Sequence, residues 1–160
     1  LMNAYKLNPL EIEIALLIAK VRNGKARSRG YQAPTHGGEQ TAEKQMQLDI
    51  DGAEAEIAAA RILNLCPDFG TEPGDSDLVS PVLGTIDVKT TRRLQGRLMV
   101  SPKSAKGSDS FVLMLNLGSS TYVFAGLAPQ KQVCAEQNVK QIRGKHVFSV
   151  SQAELQQLGT

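Results

Sequence analysis

The chain has 160 residues, of which 41% are hydrophobic and 21% are charged, and its net charge at neutral pH is +2. This length is enough for one hydrophobic core, and the composition excludes collagen-like, wholly disordered and coiled-coil proteins. The two cysteines, Cys66 and Cys134, are far apart and have no histidine at ligand spacing, which excludes a zinc ribbon and disfavours a disulfide scaffold.

The longest apolar stretch near the N-terminus, residues 14–19, is too short to span a bilayer. Glu11 and Glu13 precede it, where a signal peptide would carry positive charge. We therefore expect a soluble, cytoplasmic protein with no membrane partner.

Opposite charges occupy separate parts of the chain. Residues 39–77 contain ten acidic side chains against Lys44 and Arg61, whereas residues 88–108 contain six basic side chains and no acid. Residues 20–29 add five more cations without an anion. This pattern suits a protein that binds polyphosphate on one surface and metal cations on another, although clustered solvent-exposed charges would also produce it.

Two helices are predicted in the first half of the chain. Asn8 is a candidate N-cap, with proline at the first helical position, and Gly24 is a stop signal, so the first helix should cover residues 9–23. A long loop rich in Gly, Arg, Ser and Gln follows over residues 24–40 and extends to about residue 45. The second helix should begin at Asp51 and end before Pro67.

The second half of the chain predicts short strands and a final helix. The strands are expected at residues 78–82, 84–91, 97–100, 110–117, 121–127 and 145–150. A capping box of Ser151 and Glu154 should begin a helix over residues 152–158. We predict one α/β domain over residues 1–160, with a central mixed sheet flanked by helices and a core at about residues 50–130. The first helix and its loop would be an appendage to that core.

Two aspartates and a lysine stand out on the first predicted hairpin. Residues two apart on a strand share a face, so Asp87 and Lys89 should project to one side while Ile86 and Val88 pack on the other. A hairpin turning near Gly84 would bring Asp77 close to Asp87. Paired carboxylates repel each other, and a divalent cation that prefers oxygen ligands, such as magnesium or manganese, would compensate them.

These residues resemble the core motif of the PD-(D/E)xK nuclease superfamily. The matching elements are Asp77, nine intervening residues, then Asp87-Val88-Lys89, preceded by a helix that carries Glu56. No proline precedes Asp77, and an aspartate stands before Val88, but the superfamily tolerates both departures. The resemblance covers about residues 52–127 and implies a restriction-endonuclease-like fold.

The resemblance also implies an activity, namely Mg²⁺-dependent hydrolysis of DNA, with Mn²⁺ as a substitute and a homodimer as the working form. Asp77, Asp87 and the backbone carbonyl of Val88 would hold the metal, and Glu56 would support the site as a further catalytic carboxylate and metal ligand. Lys89 would orient the attacking water or help to deprotonate it. Phosphodiester hydrolysis itself requires such positive charge beside the phosphate.

Five basic residues follow the Asp87–Lys89 strand and are candidates for contacts with DNA phosphates. They are Arg92, Arg93, Arg97, Lys103 and Lys106. A backbone lying across Lys89 would run past them.

The two helix glutamates are expected to differ in role. Asp51 as N-cap and Glu54 as its capping-box partner predict a structural, solvent-facing position for Glu54. Glu56 lies on a face otherwise formed by apolar residues, which predicts that it points into the protein or into a cleft. The aromatic residues Tyr31, Tyr122 and Phe124 are interpreted as core or loop anchors rather than base-stacking platforms.

Alternative functions remain open at this point. A non-catalytic DNA-binding or assembly protein could retain the nuclease fold, and a nuclease of this type could act on RNA. Asp87 and Lys89 could also be an ordinary salt bridge on an exposed strand face. No P-loop or G-x-S-x-G nucleophile motif is present.

Overall fold

The computed structural model describes residues 3–30, 41–70 and 76–159. The first part of the chain forms β1 (Ala4–Lys6), α1 (Pro9–Ser28) and α2 (Ala42–Leu63). The central part forms β2 (Leu78–Ser80), β3 (Gly84–Thr91), β4 (Leu98–Val100), α3 (Pro102–Ala105), β5 (Ser110–Gly118) and β6 (Thr121–Pro129). The last part forms α4 (Gln130–Val133), a 3-10 turn (Glu136–Asn138), β7 (Val139–Ile142), β8 (Lys145–Val150) and a 3-10 turn (Gln152–Glu154).

Helix α1 begins where the sequence predicts and ends five residues later. Asn8 accepts a hydrogen bond from the Glu11 N–H, and the Glu11 carboxylate accepts one from the Asn8 N–H, so the capping box is present. The predicted stop at Gly24 is wrong, and the helix continues to Ser28. A glycine inside a helix costs only about 1 kcal/mol relative to alanine, and the contact of Asn23 with Asp49 of α2 helps to hold this end in place.

Helix α2 begins nine residues before the predicted start. Its N-cap is Thr41, whose hydroxyl accepts a hydrogen bond from the Lys44 N–H. Asp51 is therefore not an N-cap but a buried residue in the middle of the helix. Residues 42–45, predicted as loop, are helical, while residues 31–40 of that loop lie outside the described residues. The helix ends at Leu63, before Pro67 as expected.

The main sheet is mixed, with strand order β1-β6-β5-β3-β2. Strands β3 and β5 are parallel, and the other neighbouring pairs are antiparallel. The predicted β2–β3 hairpin is present, with Leu78 opposite Ile86. Its turn ends at Gly84, where φ is +71°, a backbone conformation that favours glycine. Strand β1, which the sequence analysis missed, adds a third antiparallel pair by joining β6.

A second, three-stranded sheet has the order β4-β8-β7. It packs against the face of the main sheet opposite to α1 and α2. Alternate residues of β5 divide between two cores: Val112 and Met114 pack with α1 and α2, whereas Phe111 and Leu113 pack with β4, β8 and the short helices. The predicted mixed sheet flanked by helices is therefore only partly right, because α1 and α2 cover one face and the second sheet packs on the other. Strand β7, also missed, pairs with β8.

The C-terminal helix predicted over residues 152–158 is one 3-10 turn, although the Ser151–Glu154 capping box is present. The chain cannot continue as a helix because Gln156 exchanges backbone hydrogen bonds with Leu127 of β6. Leu155 is buried beside this bridge. Tertiary pairing thus replaces the local helical preference.

Helix α1 is an integral part of the first core and not an appendage. Ala15 and Ile18 are buried in the same cluster as Ile57 of α2 and Ile86 of β3. Both cysteines are free and exposed. In residues 3–30, 41–70 and 76–159, no helix has the length and apolar character needed to cross a membrane.

Candidate active site

The candidate site lies at the edge of β3 that β2 leaves unpaired. The last residue pair between β2 and β3 is Leu78 with Ile86. One further backbone hydrogen bond follows, from the Asp77 N–H to the Ile86 carbonyl at 3.1 Å. The Asp77 carboxylate then accepts a hydrogen bond of 2.7 Å from the Val88 N–H. The N–H and C=O of a strand residue point to the same edge. The Val88 carbonyl therefore faces the edge occupied by Asp77.

Asp87 and Lys89 share one face of β3, as the sequence predicts. The Lys89 Nζ lies 2.7 Å from Asp87 Oδ1, and the two side chains are 34% and 16% exposed. On the opposite face, Ile86 is fully buried and Val88 packs against the first core. The apolar pair packs on the first core, while the charged pair lies on the sheet face that carries Phe111 and Leu113 of β5 and is only partly exposed.

Helix α2 brings Glu56 to this edge, in a position that is 8% exposed. The Arg22 side chain of α1 donates a hydrogen bond of 2.6 Å from Nη1 to Glu56 Oε1. The same guanidinium donates to the Gly70 carbonyl from Nε at 3.2 Å and from Nη2 at 3.0 Å. Glu56 thus points into the protein, as predicted, and its direct cationic partner is Arg22.

Arg22 is the site residue that the sequence analysis missed. It belonged to the basic stretch at residues 20–29, which was interpreted either as a polyphosphate-binding surface or as clustered solvent-exposed charges. Helical spacing could have indicated the position of Arg22. Ala15, Ile18 and Ala19 form the buried face of α1, and Arg22 lies four residues after Ile18 on the same face. Its charge therefore points towards the protein interior.

The electrostatics of the site are dominated by an excess of carboxylates, of which Glu56 is buried and Asp77 and Asp87 are partly buried. Burial, together with the neighbouring charges of Glu56 and Asp87, raises the pKa of Asp77 to about 8, against the bond from Val88 and the charge of Lys89. Burial also raises the pKa of Glu56, although Arg22 opposes that shift. Three carboxylates here face two cationic side chains, so the cluster favours a further positive charge.

The donor atoms of the cluster fit magnesium better than a transition metal. In the described parts of the chain, no three histidine, cysteine, aspartate or glutamate side chains are grouped closely enough to form a metal site by themselves. Magnesium is commonly held by only one or two carboxylates, with waters and substrate phosphate completing its shell. Asp77, Asp87 and the Val88 carbonyl are oxygen donors of this kind.

The five predicted phosphate-binding residues separate into two groups. Arg92 donates two hydrogen bonds to the buried Asp51 carboxylate, at 2.7 and 2.9 Å. Arg97 donates from Nε to the Ser149 hydroxyl at 2.7 Å. The remaining three are exposed: Arg93 follows β3, Lys103 lies in α3, and Lys106 follows α3.

Glu54 does not have the solvent-facing position that the sequence analysis assigned to it. It is 6% exposed and accepts hydrogen bonds from the Ser120 hydroxyl at 3.0 Å and the Tyr122 hydroxyl at 2.9 Å. The prediction was wrong because α2 begins at Ala42, which places Glu54 in the middle of the helix. Tyr122 is buried, as is Phe124, so both are core residues as predicted. Tyr31 lies outside the described residues.

No family model, curated protein or solved structure matches this chain. The resemblance to the PD-(D/E)xK nucleases therefore rests on the motif residues Asp77, Asp87 and Lys89 and on the preceding helix with Glu56.

Proposed function

We propose that this protein is a metal-dependent nuclease that hydrolyses DNA phosphodiester bonds, with a core of the restriction-endonuclease type. One observation carries the proposal: the Asp77 carboxylate is bonded to the N–H of Val88, the residue after Asp87, at an open strand edge. Lys89 pairs with Asp87 there, and the charges of Glu56 and Asp87 are close enough to raise the pKa of Asp77. The order of helix, acidic hairpin and Asp-x-Lys strand gives independent support.

In this proposal, Asp77, Asp87 and the Val88 carbonyl hold a magnesium ion, which manganese can replace. When bound, the ion supplies the positive charge that stabilises a phosphate transition state. Asp77 must be ionised to contribute, so cation binding has to displace the proton that its raised pKa retains near neutral pH. A negative charge on Glu56 raises the pKa of Asp77 and so opposes loss of its proton, but the same charge attracts the cation that would replace that proton.

Lys89 has the role of orienting the attacking water and stabilising negative charge at the phosphate. Its ammonium lies 2.7 Å from Asp87 and is 34% exposed, so it can contact both the carboxylate and an incoming substrate. A lysine donates three hydrogen bonds as a compact point charge. Such a group can hold a water while Asp87 holds the cation.

Arg93, Lys103 and Lys106 are the proposed phosphate contacts, because they are exposed and their side chains form no ion pair within the described residues. Arg93 follows β3, and the two lysines lie in and just after α3. Arg92 and Arg97 have structural partners in the folded chain, so their contribution to DNA binding should be smaller. The absence of acidic residues between positions 88 and 108 favours a polyanionic partner at this surface.

A non-catalytic DNA-binding or assembly protein is the second candidate. The observation that favours it is that Lys89 and Arg22 already pair with Asp87 and Glu56, so much of the acidic charge is compensated by the chain itself. This candidate predicts DNA binding without cleavage and without any dependence on Lys89.

The test is incubation of the protein with supercoiled, linear and four-way DNA in magnesium, in calcium and in EDTA. The proposal expects cleavage of at least one substrate in magnesium and none in EDTA. In calcium we expect binding with little cleavage, because the looser coordination of calcium positions the water poorly. DNA binding without cleavage in magnesium or manganese would favour the second candidate.

A further inference from the structure

The outer side of α1 carries an apolar stripe that the described part of the chain leaves uncovered. Leu10 is 69% exposed, Leu17 64% and Val21 40%. Between them lies Ile14, which is half-buried because one side of it packs against the first core. Their spacing of four, three and four residues places all four side chains along one side of the helix. This is the seam spacing of a helix that packs against another helix.

The inner side of α1 makes the stripe unusual. Its buried apolar residues are Ala15, Ile18 and Ala19, so the helix places its two most exposed leucines, Leu10 and Leu17, on the outside. A surface helix normally presents one apolar stripe to the core and a polar face to water. A second apolar stripe of larger side chains indicates a second packing surface.

Two opposite charges border the stripe. A shallow groove on this side of α1 is lined by Glu13, Ile14, Leu16, Leu17 and Lys20. Glu13 and Lys20 are seven residues apart and therefore lie on the same flank. Neither forms an ion pair with another residue in the described ranges.

We propose that this face binds a second copy of the same chain, with the two α1 helices antiparallel. An antiparallel alignment centred between Ile14 and Leu17 packs Ile14 against Leu17 of the second copy and Leu10 against its Val21. Two-fold symmetry repeats each contact, giving four apolar layers from four residues. The contact is isologous, because each copy contributes the same stripe.

The charges of Glu13 and Lys20 favour the antiparallel orientation of the two α1 helices. In the antiparallel pair, Glu13 of each copy lies close to Lys20 of the other, which forms two opposite-charge pairs on the rim. A parallel pair would instead align Glu13 with Glu13 and Lys20 with Lys20 of the other copy, so neither charge would lie at the level of its opposite. The groove is therefore self-complementary only when the second helix runs in the opposite direction.

The surface is small, so we expect a weak dimer with a Kd of about 1 to 100 µM. The inference is independent of the proposed nuclease activity, since none of the stripe residues belongs to the candidate site. The stripe nevertheless adjoins that site, because Arg22 follows Val21 directly and holds Glu56 on the inner side of the same helix.

The first test is sedimentation equilibrium of the full chain over a range of concentrations at low ionic strength. We expect a monomer–dimer equilibrium whose Kd rises at least about tenfold in Leu17→Glu, with no change in the matched variant Val82→Glu at a fully solvated turn. Glu13→Lys and Lys20→Glu should each weaken the dimer, and the double variant should restore it. A parent chain that stays monomeric at about 100 µM, or a double variant no tighter than the single ones, would overturn the proposal.

The second test reads the orientation by cross-linking in a background where Cys66 and Cys134 are replaced by serine. A mixture of the Leu10→Cys and Val21→Cys chains should form disulfide-linked heterodimers, whereas Leu10→Cys alone should cross-link poorly. Preferential cross-linking of Leu10→Cys to itself would contradict the antiparallel arrangement. Circular dichroism of each variant confirms that the fold is retained.

Discussion

The Asp77 carboxylate accepts a 2.7 Å hydrogen bond from the backbone N–H of Val88, eleven positions further along the chain. This bond places the Asp77 carboxyl group at the point where β2 stops pairing with β3. The position of Asp77 relative to Asp87 is thus set by the hairpin register, in which Leu78 lies opposite Ile86. The candidate metal ligands are therefore held by backbone pairing and not by flexible loops alone.

The first prediction concerns the metal ligand on β3. Asp87→Asn should abolish magnesium binding and DNA cleavage while preserving the fold, because asparagine has nearly the same volume but no charge. Magnesium titration calorimetry and a cleavage assay measure both effects. Glu136→Gln, which neutralises an exposed carboxylate outside the site, is the matched control. Full cleavage by purified Asp87→Asn would contradict the assigned ligand.

The second prediction follows from the raised pKa of Asp77, which moves from 3.8 to about 8 because of burial and of the carboxylates of Glu56 and Asp87, with Lys89 acting in the opposite direction. Arg22 adds a further cation from α1. The folded state keeps a proton that the unfolded chain releases near its normal pKa. Without metal, stability should therefore fall as the pH rises from about 4 to about 8 and then level off.

Urea unfolding at a series of pH values measures this slope. Magnesium should flatten the slope above neutral pH by binding the ionised form, and Asp77→Asn should leave only the part due to Glu56. An unchanged slope in Asp77→Asn would show that another group titrates in this range.

The third prediction separates the two partners of the buried ion pair. Arg22→Met should lower the free energy of unfolding by about 2 to 4 kcal/mol, because it leaves the Glu56 carboxylate buried without its guanidinium. The double variant with Glu56→Gln should recover part of that loss. Chemical denaturation of the two single variants and the double variant gives the coupling energy. If the losses of unfolding free energy in the two single variants simply add up in the double variant, the Arg22–Glu56 ion pair has no coupling energy.

Parts of the fold that depend on local signals were predictable from the sequence. The Asn8 capping box, the β2–β3 hairpin and the strand that carries Asp87 and Lys89 all come from cap residues, turn residues and alternation of apolar side chains. The grouping of Asp77 with Asp87 followed because a short hairpin leaves few registers.

Features that depend on long-range pairing were not predictable. The start of α2 was misplaced because Asp51 looks like an N-cap, whereas in the fold its charge is compensated by Arg92, 41 positions away. The C-terminal helix was overpredicted because the bridge between Leu127 and Gln156 is invisible in local sequence. Arg22 was missed because a charge in a basic stretch looks solvent-exposed until the face of its helix is known.

The fourth prediction distinguishes Arg93, a proposed phosphate contact, from Arg97, whose guanidinium is hydrogen-bonded within the chain. Arg93→Gln should reduce the slope of log K for DNA binding against log salt concentration by about one, since each phosphate contact releases about one counterion. Arg97→Gln should leave that slope nearly unchanged, because the Arg97 guanidinium bonds to Ser149. Fluorescence anisotropy over a salt series measures both. Equal effects of the two substitutions would contradict this distinction.

The fifth prediction assigns a structural role to Glu54. Glu54→Gln should lower stability by about 1 to 3 kcal/mol, because it perturbs buried hydrogen bonds from Ser120 and Tyr122. Cleavage per folded molecule should remain near the parent value, whereas Glu56→Gln should reduce turnover at least about tenfold by altering the charge behind Asp77. Thermal unfolding and single-turnover cleavage separate the two effects. Reversed phenotypes would place Glu54 in the site.

The proposed nuclease activity requires that Lys89 acts in magnesium-dependent cleavage of DNA. The most direct measurement is the single-turnover cleavage rate of Lys89→Ala in saturating magnesium, on whichever DNA the parent cleaves. Lys131→Ala, which removes an exposed lysine on α4, is the control. We predict that Lys89→Ala binds magnesium and DNA but loses cleavage by at least about a hundredfold, while the control keeps the parent rate. The proposal would be contradicted if the parent chain cleaves no DNA in magnesium or manganese. It would also be contradicted if Lys89→Ala cleaves DNA at the parent rate.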